Sequence, residues 1–127
     1  MLLPLRYARS WLAAGLFLLV FGLVAALSSV PTAVPLAIND KLIHLLGLVS
    51  LMVWFGGVFQ PRYAPLVALS LTAYGLLVEL LQSLTVTRHA EGLDVVADIA
   101  GVLIGWLLSA AGLSHWCMKL ESWLPSR

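Results

Sequence analysis

Glu79, Gln82, Asp94 and Asp98 fall within or beside two stretches otherwise apolar enough to lie in a bilayer. An ionised carboxylate in hydrocarbon costs several kcal/mol, so a chain that keeps such residues must satisfy them and commonly uses them. A third apolar stretch opens on Asp40, Lys41 and His44, and Arg88 lies in the polar connection TVTRHAEG. These types support three chemistries. His44, Glu79 and Asp98 are candidates for general acid–base work, since an imidazole titrates near operating pH. His44, Glu79, Asp94 and Asp98 form a mixed N/O ligand set suited to a divalent metal. The whole group, Asp40, Lys41, His44, Glu79, Gln82, Arg88, Asp94 and Asp98, makes a polar site for the head of an amphiphile.

The elements that must position them are helices. The chain has 127 residues, 61% hydrophobic and only 10% charged. Its mean hydropathy is +1.01. Soluble domains carry roughly a quarter charged residues, so the composition is that of a membrane protein. The length suits one domain over residues 1–127. A net charge of +1 with no basic run gives no case for nucleic acid, and the lone Cys117 excludes an internal disulfide.

Apolar runs at about 11–27, 41–58, 63–84 and 93–113 have helical spanning length, whereas barrel strands need only about 10 residues. The expectation is an all-α, integral membrane four-helix bundle. The first run, behind Arg6 and Arg9, resembles a signal peptide but exceeds a usual hydrophobic core region, so it is read as a retained span. Residues 114–127, with Trp116, Lys119, Trp123 and Arg127, read as an interfacial tail. Four spans put both ends on one side. That side holds Arg6, Arg9, Arg62, Lys119 and Arg127, against Lys41 and Arg88 on the other. The positive-inside bias then places both termini in the cytoplasm and the chain in the inner membrane.

Depth and facing refine the site. Glu79 lies five residues inside Leu84, and Asp98 five beyond Leu93, each about 8 Å along its helix. His44 is slightly shallower, so three helices deliver ionisable groups to one layer of the outer leaflet. Asp94, Asp98, Gly101, Gly105 and Ser109 form one stripe. Thr72, Gly75, Glu79 and Gln82 form a second, and Asp40, His44 and Gly47 a third. Small residues at this spacing, Gly75, Gly101 and Gly105 above all, let membrane helices approach closely. The layer holds more carboxylates (Asp40, Glu79, Glu91, Asp94, Asp98) than cations (Lys41, Arg88), so some carboxylates keep protons or a cation sits among them. A purely structural alternative has Asp40, Lys41, His44, Arg88 and Asp94 serving as caps and interhelical ion pairs.

The segments DKLIH (Asp40 to His44), ELLQ (Glu79 to Gln82), Arg88 and DVVADIAGVLIG (Asp94 to Gly105) resemble the VanZ-like membrane protein family in order, spacing and helix placement. The match covers residues 40–105. Asp98 stands where that family usually has Asn, and Leu48 where an aromatic is common. The resemblance implies work at the cell envelope, of the kind linked to teicoplanin resistance, without fixing a reaction.

Three functional readings follow. The first is an envelope factor that binds a lipid-linked precursor or a lipoglycopeptide-type amphiphile. The second is a small intramembrane, metal-assisted hydrolase or transferase acting on a lipid. The third is cation or proton movement, which ranks last because only Ser50, Ser70, Thr72 and Ser109 continue the polar path inward.

Overall fold

The computed structural model describes residues 1–28, 40–85 and 92–125, with Asp40 described by its backbone alone. Among these residues the chain is all-helical. Helix α1 spans Ala8–Leu27, α2 Asp40–Val58, α3 Ala64–Ser83, α4 Gly92–Ala110 and α5 Trp116–Ser122, with 3₁₀ turns at Pro61–Tyr63 and Leu113–His115. Four of the helical segments, Ala8–Leu27, Lys41–Val58, Pro61–Ser83 and Gly92–Ala110, are long and apolar enough to cross a membrane. Their outward faces carry Phe17, Leu69 and Leu107, each about two-thirds exposed, as lipid-facing helices require.

Helix ends follow local chemistry. Ser28 closes α1, its hydroxyl donating to the Val24 carbonyl. Helix α2 stops at Val58, where the chain straightens: Leu3 N donates to Val58 O and Gln60 N to Met1 O, and Pro61 then starts a new turn. Helix α4 ends at Ala110, three residues earlier than the apolar run implies, because Gly112 adopts a φ of 134° that other residues avoid. Helix α1 begins at Ala8, three residues earlier than its run.

Helices α2 and α4 form the centre of the bundle. Two glycines of α4 explain their closeness. A Cβ at Gly101 would come within 2.5 Å of the Leu45 carbonyl, and one at Gly105 within 2.6 Å of Met52 Cβ. Leu48, Leu51, Met52 and Phe55 of α2 join Val67, Ala68 and Leu71 of α3 and Val102 of α4 in the main core. Helix α1 is peripheral, with Gly15 its only buried residue, and is fastened by polar side chains. Tyr74 O–H donates to Leu19 O, Gln82 Nε2 to Ala26 O and Trp54 Nε1 to Trp11 O.

The last segment does more than rest on a surface. Cys117 is fully buried with Leu3, Leu5 and Val58, and the rings of Trp11, Trp54 and Trp116 meet at centroid distances of 5.3–5.6 Å. Trp116 Nε1 donates to Val53 O, while Leu113, Leu120, Trp123 and Leu124 turn outward. The Glu121 carboxylate accepts N–H bonds from Arg6, Tyr7 and the Trp11 indole, joining α5 to the start of α1. Gly47 also departs from its expected stripe. It lies on the exposed face of α2, with nothing within 4 Å of a Cβ there. The buried face of α2 passes instead through Leu48, Leu51 and Met52.

Candidate functional site

Three helices contribute to one cluster near the end of the bundle where α2 and α4 begin and α3 finishes. His44 sits one turn into α2, Glu79 one turn before the end of α3, and Asp98 in the second turn of α4. The His44 Nδ1 lies 3.1 Å from Asp98 Oδ1 and 3.6 Å from Glu79 Oε1. One ligand-type atom from each of the three lies within 4.8 Å of the others. Glu79 is 5% and Asp98 2% exposed, so both acids are withdrawn from the surface.

The local sequence accounts for the convergence. Gly101 lets α4 pack on α2 at Leu45, which brings the next turn of α4, with Asp98, beside His44. On the other side, Gly75 presents bare backbone to Asp98, and a Cβ there would overlap Asp98 Oδ2. The carboxylate thus fits between two helices only because one of them lacks a side chain at that level.

The remaining polar residues fall outside this triad. Asp94, one turn nearer the start of α4, has its Oδ1 3.6 Å from Lys41 Nζ, which separates it from the other carboxylates of the ligand set read from the sequence. Its place in the first turn of α4 also complements the helix dipole. Gln82 is buried and directed at α1 through its bond to Ala26 O. The Asp40 side chain and Arg88 lie outside the described residues, as do His89 and Glu91.

Charge and hydrogen-bond capacity define what the triad can do. With Asp98 ionised, His44 Nδ1–H donates to its Oδ1, while Glu79 Oε1 approaches the same nitrogen. One N–H cannot serve two carboxylates equally. Asp98 Oδ2 is inaccessible and has no hydrogen-bond partner among the described residues, a costly state for a charged oxygen. A cluster of this composition can coordinate a divalent cation, hold a cationic group or pass a proton through the imidazole.

Tyr74 was not singled out by sequence reasoning, although it anchors α1 one turn below the triad. Its signal was present as a polar tip in an apolar helix, five residues before Glu79. Glu121, the acceptor for three N–H groups, gave no such signal because its partners are more than 100 positions away. Two cavities lie apart from the triad. One of about 410 Å³ is bordered by Gly56, Gln60, Trp106, Ser109 and Ser114, towards the opposite end of the bundle. The other, about 280 Å³ and almost wholly apolar, runs between Leu12, Leu16 and Leu19 of α1 and Leu66, Ser70 and Tyr74 of α3.

No protein-family model, curated protein or solved structure matches the chain.

Proposed function

We propose that this chain is a VanZ-like factor of the inner membrane, with both termini cytoplasmic, whose polar layer in the outer leaflet receives the head group of a lipid-linked envelope precursor or a lipoglycopeptide-type amphiphile. The observation that carries this reading is the gathering of His44, Glu79 and Asp98 from three helices at one level, with Lys41 and Asp94 a turn closer to the helix ends. Buried ionisable groups in membrane helices are functional by default, because each is expensive to keep. The four spanning helices and the Lys/Arg asymmetry support the topology.

Glu79→Gln and Asp98→Asn keep the shape of each side chain and remove its charge. Each is expected to lower tolerance to lipoglycopeptides while the protein remains folded and inserted. Wild-type tolerance in both variants and in the deletion strain would sink the reading. Alkaline phosphatase and fluorescent-protein fusions after residue 88 and after residue 125 test the topology, with only the first expected to be active as a phosphatase.

A second reading, a metal-assisted hydrolase or transferase acting on a lipid, is favoured by one feature: the three side chains present one nitrogen and two oxygens within ligand range of each other. Turnover of a lipid substrate that is lost on His44→Ala supports it. Purified protein inactive on a panel of phospholipids and lipid-linked precursors counts against it.

A further inference from the structure

The geometry points to a divalent-metal site of the zinc type formed by His44 Nδ1, Glu79 Oε1 and Asp98, leaving one coordination position open to an exogenous ligand. Two ligand atoms about 2.1 Å from a tetrahedral ion are about 3.4 Å apart. The separations of 3.1 Å and 3.6 Å from His44 Nδ1 bracket that spacing, so small side-chain adjustments close the site. The ligand set is one imidazole and two carboxylates. Magnesium and calcium favour all-oxygen cages, whereas zinc accepts mixed N/O sets.

An acidic cluster alone would not carry this assignment. The independent observation is Asp98, 2% exposed: its Oδ1 faces His44 Nδ1, while its Oδ2, turned against Gly75, has no hydrogen-bond partner among the described residues to offset the charge. A cation at Oδ1 neutralises that buried carboxylate. Lys41 is committed to a different carboxylate, lying 3.6 Å from Asp94 one turn away. Gly75 of α3 leaves room for Asp98 and Gly101 lets α4 close on α2 at Leu45, so the ligands are set on packed helices rather than on loops. The site also gives the proposed head-group binding a means of holding a phosphate beside carboxylates that would otherwise repel it. That extension rests on the amphiphile reading; the metal site itself does not.

The test uses the full-length, tag-free chain in lipid nanodiscs, stripped with a chelator and titrated with Zn²⁺ against a competing chromophore. One equivalent should bind per chain. Glu79→Gln, Asp98→Asn and His44→Gln should each weaken binding by at least about 100-fold, since outer-shell changes alone commonly cost 10–100-fold. The chain has three histidines, and replacing the other two, His89→Gln with His115→Gln, should leave the affinity unchanged. Because a site variant could fail to fold, X-ray absorption on zinc-loaded wild type provides a second measurement. It should show one imidazole with oxygen neighbours and no sulfur. Absence of stoichiometric binding, equal affinity in all three site variants, loss on replacing the other two histidines, or a sulfur ligand from Cys117 would each overturn the assignment. Zinc bound at the triad with unaltered lipoglycopeptide tolerance in Asp98→Asn would overturn the amphiphile reading alone. Lost tolerance without stoichiometric zinc would overturn the metal site alone.

Discussion

Asp98 on α4 rests its Oδ2 against the backbone of α3 at Gly75, so closely that a β-carbon at Gly75 would overlap the oxygen. Gly75 is therefore part of the site although it has no functional group: its missing side chain is the space in which Asp98 turns towards His44. Gly75→Ala should destabilise the protein by about 1–3 kcal/mol, the usual cost of overfilling a packed interior. The penalty should shrink by more than 0.5 kcal/mol in an Asp98→Ala background, because the colliding group is gone. Unfolding in mixed micelles, followed by far-UV circular dichroism, measures both. An equal penalty in the two backgrounds would remove Gly75 from the account of the site.

Two glycines a few residues from the centre of their helices should respond in opposite directions. At Gly105 a methyl group would meet Met52 Cβ at 2.6 Å and the Val49 carbonyl at 2.8 Å. Gly105→Ala should thus force α2 and α4 apart and cost about 1–3 kcal/mol. Gly47 has nothing within 4 Å, so Gly47→Ala should be neutral or stabilising by up to about 1 kcal/mol, through helix propensity alone. The same unfolding assay reads the contrast, and a Gly47→Ala penalty as large as that of Gly105→Ala would mean that the exposed face of α2 is packed against a partner.

These contrasts mark what the sequence could reveal. His44, Glu79 and Asp98 were legible because ionisable groups stand out in apolar helices, and counting residues from the helix ends gives their common level along the bundle to within a turn. A close approach of α4 to a neighbour was legible in Gly101 and Gly105, but not that the neighbour is α2. The rotation of α2 was not. Periodicity puts Gly47 on the stripe of His44, but the facing surface is fixed by where α4 lies, and that selects Leu48, Leu51 and Met52. Spacing alone likewise could not divide Asp94 from Asp98, which share a stripe one turn apart; the position of Lys41 near the former divides them. The docking of α5 depends on partners from 63 to more than 100 positions away, and no local pattern encodes that.

Glu121 acts as the missing cap of α1. That helix has no side-chain cap of its own and no acidic residue in its first turn, and the Glu121 carboxylate supplies both from α5. Burial alone would raise its pKa. The N–H donors of Tyr7, Arg6 and Trp11, with the Arg6 charge, outweigh burial and bring it below its ordinary 4.5. A carboxylate with a depressed native pKa adds stability that is complete above the unfolded-state value and is lost as the pH falls through the native one. Glu121→Gln should therefore cost about 1 kcal/mol near neutral pH, in the range of a lost helix cap. The gap between the two proteins should close as the pH drops below 4.5 towards the native value. Faster hydrogen exchange at Arg6 and Tyr7 in the variant should accompany the loss, and an unchanged gap at low pH would dismiss the charge as the cause.

Cys117 reports on the same junction. Burial, with a smaller contribution from Glu121, pushes its thiol up to about 12 from an ordinary 9.0, and the side chain has no exposed surface. Only the thiolate attacks a maleimide. At pH 8 the shift alone lowers the thiolate fraction, and hence the rate, by about 1000-fold relative to an ordinary thiol. Labelling of the folded protein in nanodiscs should therefore be very slow, and complete within minutes once the chain is unfolded in SDS. Glu121→Gln removes the charge and turns one of the two acceptor oxygens that hold Arg6, Tyr7 and Trp11 into an N–H donor, so α5 should leave its seat more often and Cys117 should label faster in that variant while α2 and α4 stay packed. Rapid labelling of the folded wild type would show instead that α5 spends much of its time undocked from Leu3, Leu5 and Val58.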